Sequence, residues 1–394
     1  MKKTVFFLAL LLLTQCKANR NKQEVGDIVE IDVSRTYPTK ELYLQDIAKV
    51  EYIPLETNDN TLMKLTNVRI HVSDDYIITT NRSEGDFFVF DGKGKSKYSF
   101  NHRGQGPREY NIMGSFAFDE KAKEIFVFDR YSSSRKILVY AEDGEYKRAL
   151  SGFPDLKDII LYNFDETTLL VYDNSNVLGQ GVLEQEIFSN KPYLLLSKDD
   201  GSIVDILNIH LPLRVSDAVV WQDGQNINLV RIPITNNRSF GKNFLITDWS
   251  SDTIYSLTPY RELQPMIVRK PPVQETDPKI LISNFLVTDK FILLGVYTMD
   301  YQILRNNGNI SSKQLMYDFK NGQINEFRLK NRDITSSSSV RMWEATTPEN
   351  IGVSIYDAFF LFGLDEKNEI KGDLKELLKS LDEEDNPVIM KITF

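Results

Sequence analysis

The chain has 394 residues, room for two or three ordinary domains or one large β array, and its 41% hydrophobic and 26% charged residues exclude general disorder. Its net charge is −9 with no basic stripe, a field that repels phosphate backbones, so nucleic acid is not an expected partner. The 23 Phe and 18 Tyr suit strands, whose pleated and half-buried surfaces take aromatic side chains well.

At the N-terminus, Lys2 and Lys3 precede nine apolar residues at 5–13, which read as a secretion signal and are too short to span a bilayer. The sole cysteine, Cys16, cannot form an internal disulfide. It falls at the signal boundary, where a bacterial lipoprotein carries its lipidated cysteine, although Gln15 stands where a small residue is usual. Residues 1–16 are therefore expected to be a lipoprotein signal with its lipidation site, 17–27 a polar tether and 28–394 a folded domain. An ordinary signal peptide with an incidental cysteine is the alternative.

Along the rest of the chain, a short apolar strand ending in Asp or Asn recurs, followed by a second apolar segment and, in most copies, a Gly turn. Residues 50–55, 76–81 and 87–91, with a turn at 92–94, form the first unit. The clearest copies are 125–129 with 137–140 and Gly144, and 169–173 with 193–197 and Gly201; 244–248 with 254–257 is weaker. Units are expected over 114–152, 158–212 and 226–270, then a fifth through 291–295 and 315–329. A poorer last unit has strand-like segments at 353–356 and 359–364. Leu374, Leu377, Leu378 and Leu381 share one helical face, so 373–381 is read as a short C-terminal helix before a final strand at 387–394. A period of about 40–50 residues built from strands predicts an all-β fold, a six-bladed β-propeller, with seven blades as the alternative. Unpaired terminal edges would invite other chains, so 28–33 and 388–394 are expected to close the ring in one composite blade.

Three motifs carry a family likeness: Tyr-Ile-Pro-Leu-Glu-Thr at 52–57, Gly-Gln-Gly-Pro-Arg-Glu-Tyr at 104–110, and Asn-Pro-Val at 386–388. On these the chain resembles the six-bladed β-propeller lipoproteins common in gut Bacteroidetes, related in architecture to NHL-repeat propellers. Arg108 stands where a Gly is more usual. The resemblance implies a propeller anchored in the cell envelope and implies no reaction.

Antiparallel strands alternate their connections between the two faces of the disc, so the Gly turns should share one face. The link at 104–110 should lie on the other, at the mouth of the central channel. There Arg103, Arg108, Arg130 and Arg135 would hold carboxylates as bidentate forks, and Tyr110, Tyr131 and Trp249 would stack on sugar or peptide faces. Gln105 and Glu109 complete the candidate ligand-binding set. For Gly104, Gly106 and Pro107, backbone shape is the better explanation. The repeated Asp and Asn residues most often serve as turn caps.

His71, His102 and His210 are the only histidines, and none pairs at i+4 as a metalloprotease zinc site requires. His71 reads as a partly buried strand residue. No nucleophile elbow, P-loop or EF-hand loop occurs, and no catalytic residue is assigned. Calcium in the channel, held by Asp129, Asp173 or Asp248, is the one cofactor considered. The expected function is a binding or scaffold module, lipid-anchored in the outer membrane and periplasm-facing, for a peptide, a glycan or an envelope protein. The alternative is a hydrolase or lyase acting on a sugar or ester with a channel-bound divalent metal.

Overall fold

The structure is a computed structural model. It describes residues 28–394 except 66–67, 131–134, 154–155, 176–189, 212, 216–217, 224–225, 232–236, 301, 304–305, 307–309, 336–339, 341 and 344, and describes 218–223, 226–231 and 285 by backbone alone.

Three short strands come first, β1 (Val29–Asp32), β2 (Thr39–Tyr43) and β3 (Lys49–Pro54), with helix α1 (Leu44–Ile47) before the third. Blade one is β4 (Val68–Val72), β5 (Tyr76–Asn81), β6 (Asp86–Asp91) and β7 (Ser96–Asn101). Blade two is β8 (Met113–Asp119), β9 (Glu124–Asp129), β10 (Lys136–Ala141) and β11 (Tyr146–Leu150). Blade three is β12 (Ile159–Asn163), β13 (Thr168–Asp173), β14 (Tyr193–Ser197) and β15 (Ile203–Ile206). A hairpin of β16 (Ala218–Asp223) and β17 (Asn226–Arg231) separates it from blade four, β18 (Arg238–Phe240), β19 (Asn243–Ile246), β20 (Thr253–Leu257) and β21 (Leu263–Lys270). Residues 226–231 thus belong to this hairpin and not, as expected, to the fourth unit. Blade five is β22 (Lys279–Val287), β23 (Phe291–Met299), β24 (Ser311–Asp318) and β25 (Ile324–Lys330). The chain then passes through β26 (Ala345–Thr346) to β27 (Ile351–Tyr356), helices α2 (Ala358–Glu366) and α3 (Gly372–Leu378), and β28 (Val388–Thr393).

The wheel has six blades and is closed. Six apolar cores fill its seams, one between each pair of neighbouring sheets, and the sixth joins the last blade to the first through Ile53, Ile355 and Ile389 against Ile77, Phe88 and Phe90. Each inner strand must feed two seams, because successive side chains point to opposite faces. In β9, Ile125 and Val127 face blade one while Phe126 and Phe128 face blade three. That is why the repeat reads as an unbroken apolar run.

Closure is by a composite blade, but with a different N-terminal segment from the one expected. The C-terminal β28 lies between β27 and β3, with Val388 opposite Pro54 and Thr393 opposite Lys49. Residues 28–33 instead supply β1, which pairs parallel with the outer strand of blade four, as β2 does with blade five. The patterns explain the exchange. β28 is apolar toward both neighbouring seams and needs a covered partner, whereas β1 buries Ile31 and leaves its flanking residues partly open, as an edge strand does.

The Gly turns lock neighbouring blades together. Gly94, Gly144 and Gly201 have φ of +84, +90 and +81, and a Cβ there would lie 2.1 Å from the Pro54 carbonyl oxygen, 2.6 Å from the Phe100 ring and 2.9 Å from Leu150 Cβ. Each contact joins the third turn of one blade to the outer strand of the blade before it. Only a residue without a side chain fits both the angle and the gap.

One expected strand is a helix. Residues 359–364 lie within α2, where Leu361 and Leu364 recur at i and i+3 and pack with Leu374, Leu378 and Val388. A six-residue apolar run is ambiguous in period, and the packing decides it.

Charged groups reinforce the seams as well. Arg148 forks onto Glu124 with two 2.8 Å bonds and also donates to the Lys198 carbonyl of blade three. Burial pushes the Glu124 carboxyl up, but Arg148 and Lys147 outweigh it and hold the group below the ordinary value of 4.5. A carboxylate so depressed contributes stability above that value and loses it as pH falls through the lower folded-state value. Melting temperatures of the parent and of Glu124→Gln should therefore converge below pH 4.5, and a gap unchanged by acid would refute the linkage.

Candidate functional site

The described inner strands enclose part of the central hub. The innermost strands β4, β8, β12 and β26, with Asn237, line a cavity of about 30 Å³. β26 pairs directly with β4, and Ser115 Oγ accepts the Leu161 N–H at 3.0 Å, which ties inner strands of neighbouring blades together.

The 104–110 link does not reach this hub. It lies over the seam between blades one and two and points outward: the Arg108 carbonyl accepts the Tyr140 hydroxyl at 2.7 Å, and the Arg108 guanidinium sits 5.2 Å from the ring of Tyr146 on the outermost strand. Nor is it remote from the Gly turns, for His102 Nε2 is 2.8 Å from the Gly144 carbonyl and its ring stacks on Tyr140. Blade twist carries the third turn of blade two under the end of β7, so the sorting of loops by face fails at this seam.

The loop is tied to itself. Glu109 folds back to accept the Gly106 N–H at 2.8 Å, and a Cβ on Gly104 would lie 1.9 Å from Glu109 Oε2. Tyr110, expected to stack on a ligand, is fully buried. Its hydroxyl donates to the Gly85 carbonyl at 2.5 Å and accepts the His102 N–H at 3.0 Å, while its ring meets Phe87 and Tyr140 edge-on. Trp249 is likewise buried among Val273, Leu281, Tyr297 and Met299, and offers no face to a ligand. Arg103 is exposed but spans to the Ser83 carbonyl at 2.8 Å, Gln105 and Arg108 are exposed, and Arg130 pairs with Asp158 at 3.2 Å. Tyr131 and Cys16 lie outside the described residues. The set is thus not one constellation: Arg103, Gln105, Arg108 and Glu109 share a loop, while Trp249 sits in blade four.

The three carboxylates considered for calcium stand apart at strand ends, Asp173 and Asp248 capping their own turns and Asp129 bonding across to the link before β8. Asp129 accepts the Asn111 N–H at 3.0 Å, Asp173 the Ser175 N–H at 2.9 Å, and Asp248 the Ser250 N–H at 2.8 Å. Among the described residues no three His, Cys, Asp or Glu side chains gather as a metal site would require.

A concave site does occur at the same seam, away from the 104–110 loop. Asp75, Tyr76 and Lys97 of blade one and Glu120, Lys121 and Lys123 of blade two line an open cleft of 750 Å³. Lys97 Nζ lies 4.3 Å above the Tyr76 ring and 3.4 Å from Glu142, which also meets Lys123 at 3.4 Å. Burial would lower the Lys97 ammonium, but Tyr76 and Glu142 outweigh it and hold it above the usual lysine value. At the inner end, His71 is buried edge-on against Phe118, with Nε2 3.7 Å from Glu120, and this ring holds the Glu120 carboxyl below its usual value. These groups escaped sequence reading because they come from separate strands and turns of two blades, at spacings that match no motif.

No curated protein matches the chain by sequence. Among solved structures, a Bacteroides fragilis protein described as exported aligns over 93% of this chain and 99% of its own, with TM-score 0.63 and 14% identity, a likeness of fold alone. A Bacteroides vulgatus member of the DUF4221 family covers 88% of this chain and 96% of its own at 8% identity, with TM-score 0.48. A family profile described as a domain of unknown function, DUF4934, matches residues 28–393, nearly all of the described chain. The protein belongs to the DUF4934 family and is a six-bladed β-propeller.

Proposed function

We propose that this propeller is a binding or scaffold module of the cell envelope, held to the outer membrane by lipid on Cys16 and facing the periplasm. Its ligand is a peptide, a glycan or another envelope protein. The observation that carries the reading is the seam cleft, concave and open, with cations and carboxylates pre-placed by packing and an aromatic ring beneath one ammonium. Concave, mixed-polarity surfaces on a rigid scaffold are where ligands are held.

The test is a binding screen of purified protein against oligosaccharides, peptides and envelope extract, repeated with Lys121→Ala/Lys123→Ala and with Lys97→Ala. Exposed lysines cost little stability when truncated, within about 0.5 kcal/mol, so Lys121→Ala/Lys123→Ala should melt as the parent does. A ligand bound by the parent should lose about tenfold in affinity in each variant. No ligand from the screen, or one bound equally by the variants, would overturn the assignment. Incorporation of labelled palmitate in the parent but not in Cys16→Ala tests the anchor.

A further inference from the structure

Helix α2 is apolar on nearly every side, yet only one side is covered. Ala358, Leu361 and Leu364 are buried, and both leucines pack with Ile370, Leu374, Leu378 and Val388 against the last blade. The other side leaves Phe359 69% and Phe360 51% exposed. A helix apolar all round is normally enclosed, and an exposed apolar patch marks an interaction site. The Phe360 ring lies parallel to Tyr356 with centroids 6.4 Å apart, and Gly363, one turn beyond Phe359, has open space where a side chain would stand. Two rings and a bare glycine make an aromatic step with a notch. Exposed Asp357 and Glu366 border it, with Lys367 at its far end. The whole insertion is acidic: residues 357–385 hold ten carboxylates against four lysines, a net −6 within a chain of net −9. Blades one and four make the equivalent connection between their second and third strands with only residues 82–85 and 247–252.

We propose that this aromatic step docks a basic polypeptide segment, one that sets an aliphatic or aromatic side chain into the notch at Gly363 and lays lysines or arginines over the acidic border. Charge decides between occupants. An anionic lipid surface is repelled by the insertion, and a second copy of this chain would bring two such insertions together, whereas a cationic segment gains at Asp357 and Glu366. The surface shares no residue with the seam cleft, so the two assignments stand or fall separately.

The experiment measures binding of a labelled amphipathic helix of Leu and Lys to the full chain by fluorescence anisotropy. Its controls are the same peptide with Glu for Lys, vesicles of phosphatidylglycerol, and the sedimentation state of the protein alone. The Leu/Lys peptide should bind, weaken as salt rises, and lose about tenfold in Phe359→Ser/Phe360→Ser and in Gly363→Leu, which fills the notch. Lys121→Ala/Lys123→Ala should bind it as the parent does. Both phenylalanines are exposed, so melting should be unchanged. Equal binding by the double Phe variant overturns the proposal, as does equal binding of the Glu peptide. Vesicle binding or self-association that disappears with the two rings would assign the step to lipid or to a second copy instead, and so also overturns it.

Discussion

Deleting residues 387–394 is expected to abolish folding. β28 is an inner strand of the closing blade, hydrogen-bonded on both sides, and Val388, Ile389, Met390 and Ile392 are each at most 1% exposed. Burying a large aliphatic side chain contributes about 1.5–3 kcal/mol, so these four residues alone carry roughly 6–12 kcal/mol, comparable with the whole net stability of an ordinary domain. The loss is also topological: without β28, β3 has no sheet, β27 presents a bare edge, and the core facing blade one loses Ile389. The truncated chain should show no cooperative melting transition and should aggregate. A cooperative melt within a few degrees of the parent would mean that the ring is held shut elsewhere. Adding the segment back as a synthetic peptide should restore a transition, since the groove between β27 and β3 is specific for its register.

The second large effect is expected at Lys198. Its ammonium is 5% exposed and lies 2.6 Å from Asp119, itself 7% exposed, across the seam between blades two and three; it also donates to the Asp165 carbonyl. Asp119 cannot turn away, because its other oxygen caps the Ala122 N–H at 3.0 Å. Lys198→Ala would leave that carboxylate buried and alone, a change that costs about 3–5 kcal/mol. The double variant Lys198→Met/Asp119→Leu removes both charges and should recover most of the loss, as replacing a whole buried pair often does. Denaturant unfolding of the parent, Lys198→Met, Asp119→Leu and the double variant forms a cycle whose coupling is the test. A Lys198→Ala protein as stable as the parent, or a double variant no better than the single, would show that the pair is solvated in solution.

The blades were legible in the sequence because a strand buried on both faces must be apolar at every position, as at 125–129 and 169–173, and because turns with positive φ leave glycine as a mark. The closing strand was legible as a need but not in its partner: 50–55 reads as the first strand of the first unit, whereas the structure sets 49–54 beside β28 in the closing blade. Residues 359–364 misled, since so short an apolar run fits either period. Tyr110 and Trp249 misled for another reason. An aromatic in a polar loop reads as exposed, but burial is set by what lies above it, and Gly85, which carries no side chain, lets the Tyr110 ring come within 3.3 Å of where a Cβ would stand. The seam cleft left no trace along the chain, because Tyr76, Lys97 and Glu120 share no local pattern.

What residue order alone determined was the wheel, since backbone pairing and two-sided burial are local demands repeated in every blade. Where the polar groups converge was decided only by folding. The twist of each sheet swings its turns against the next blade, and charges far apart in the chain then meet at the seams, where no spacing rule reaches.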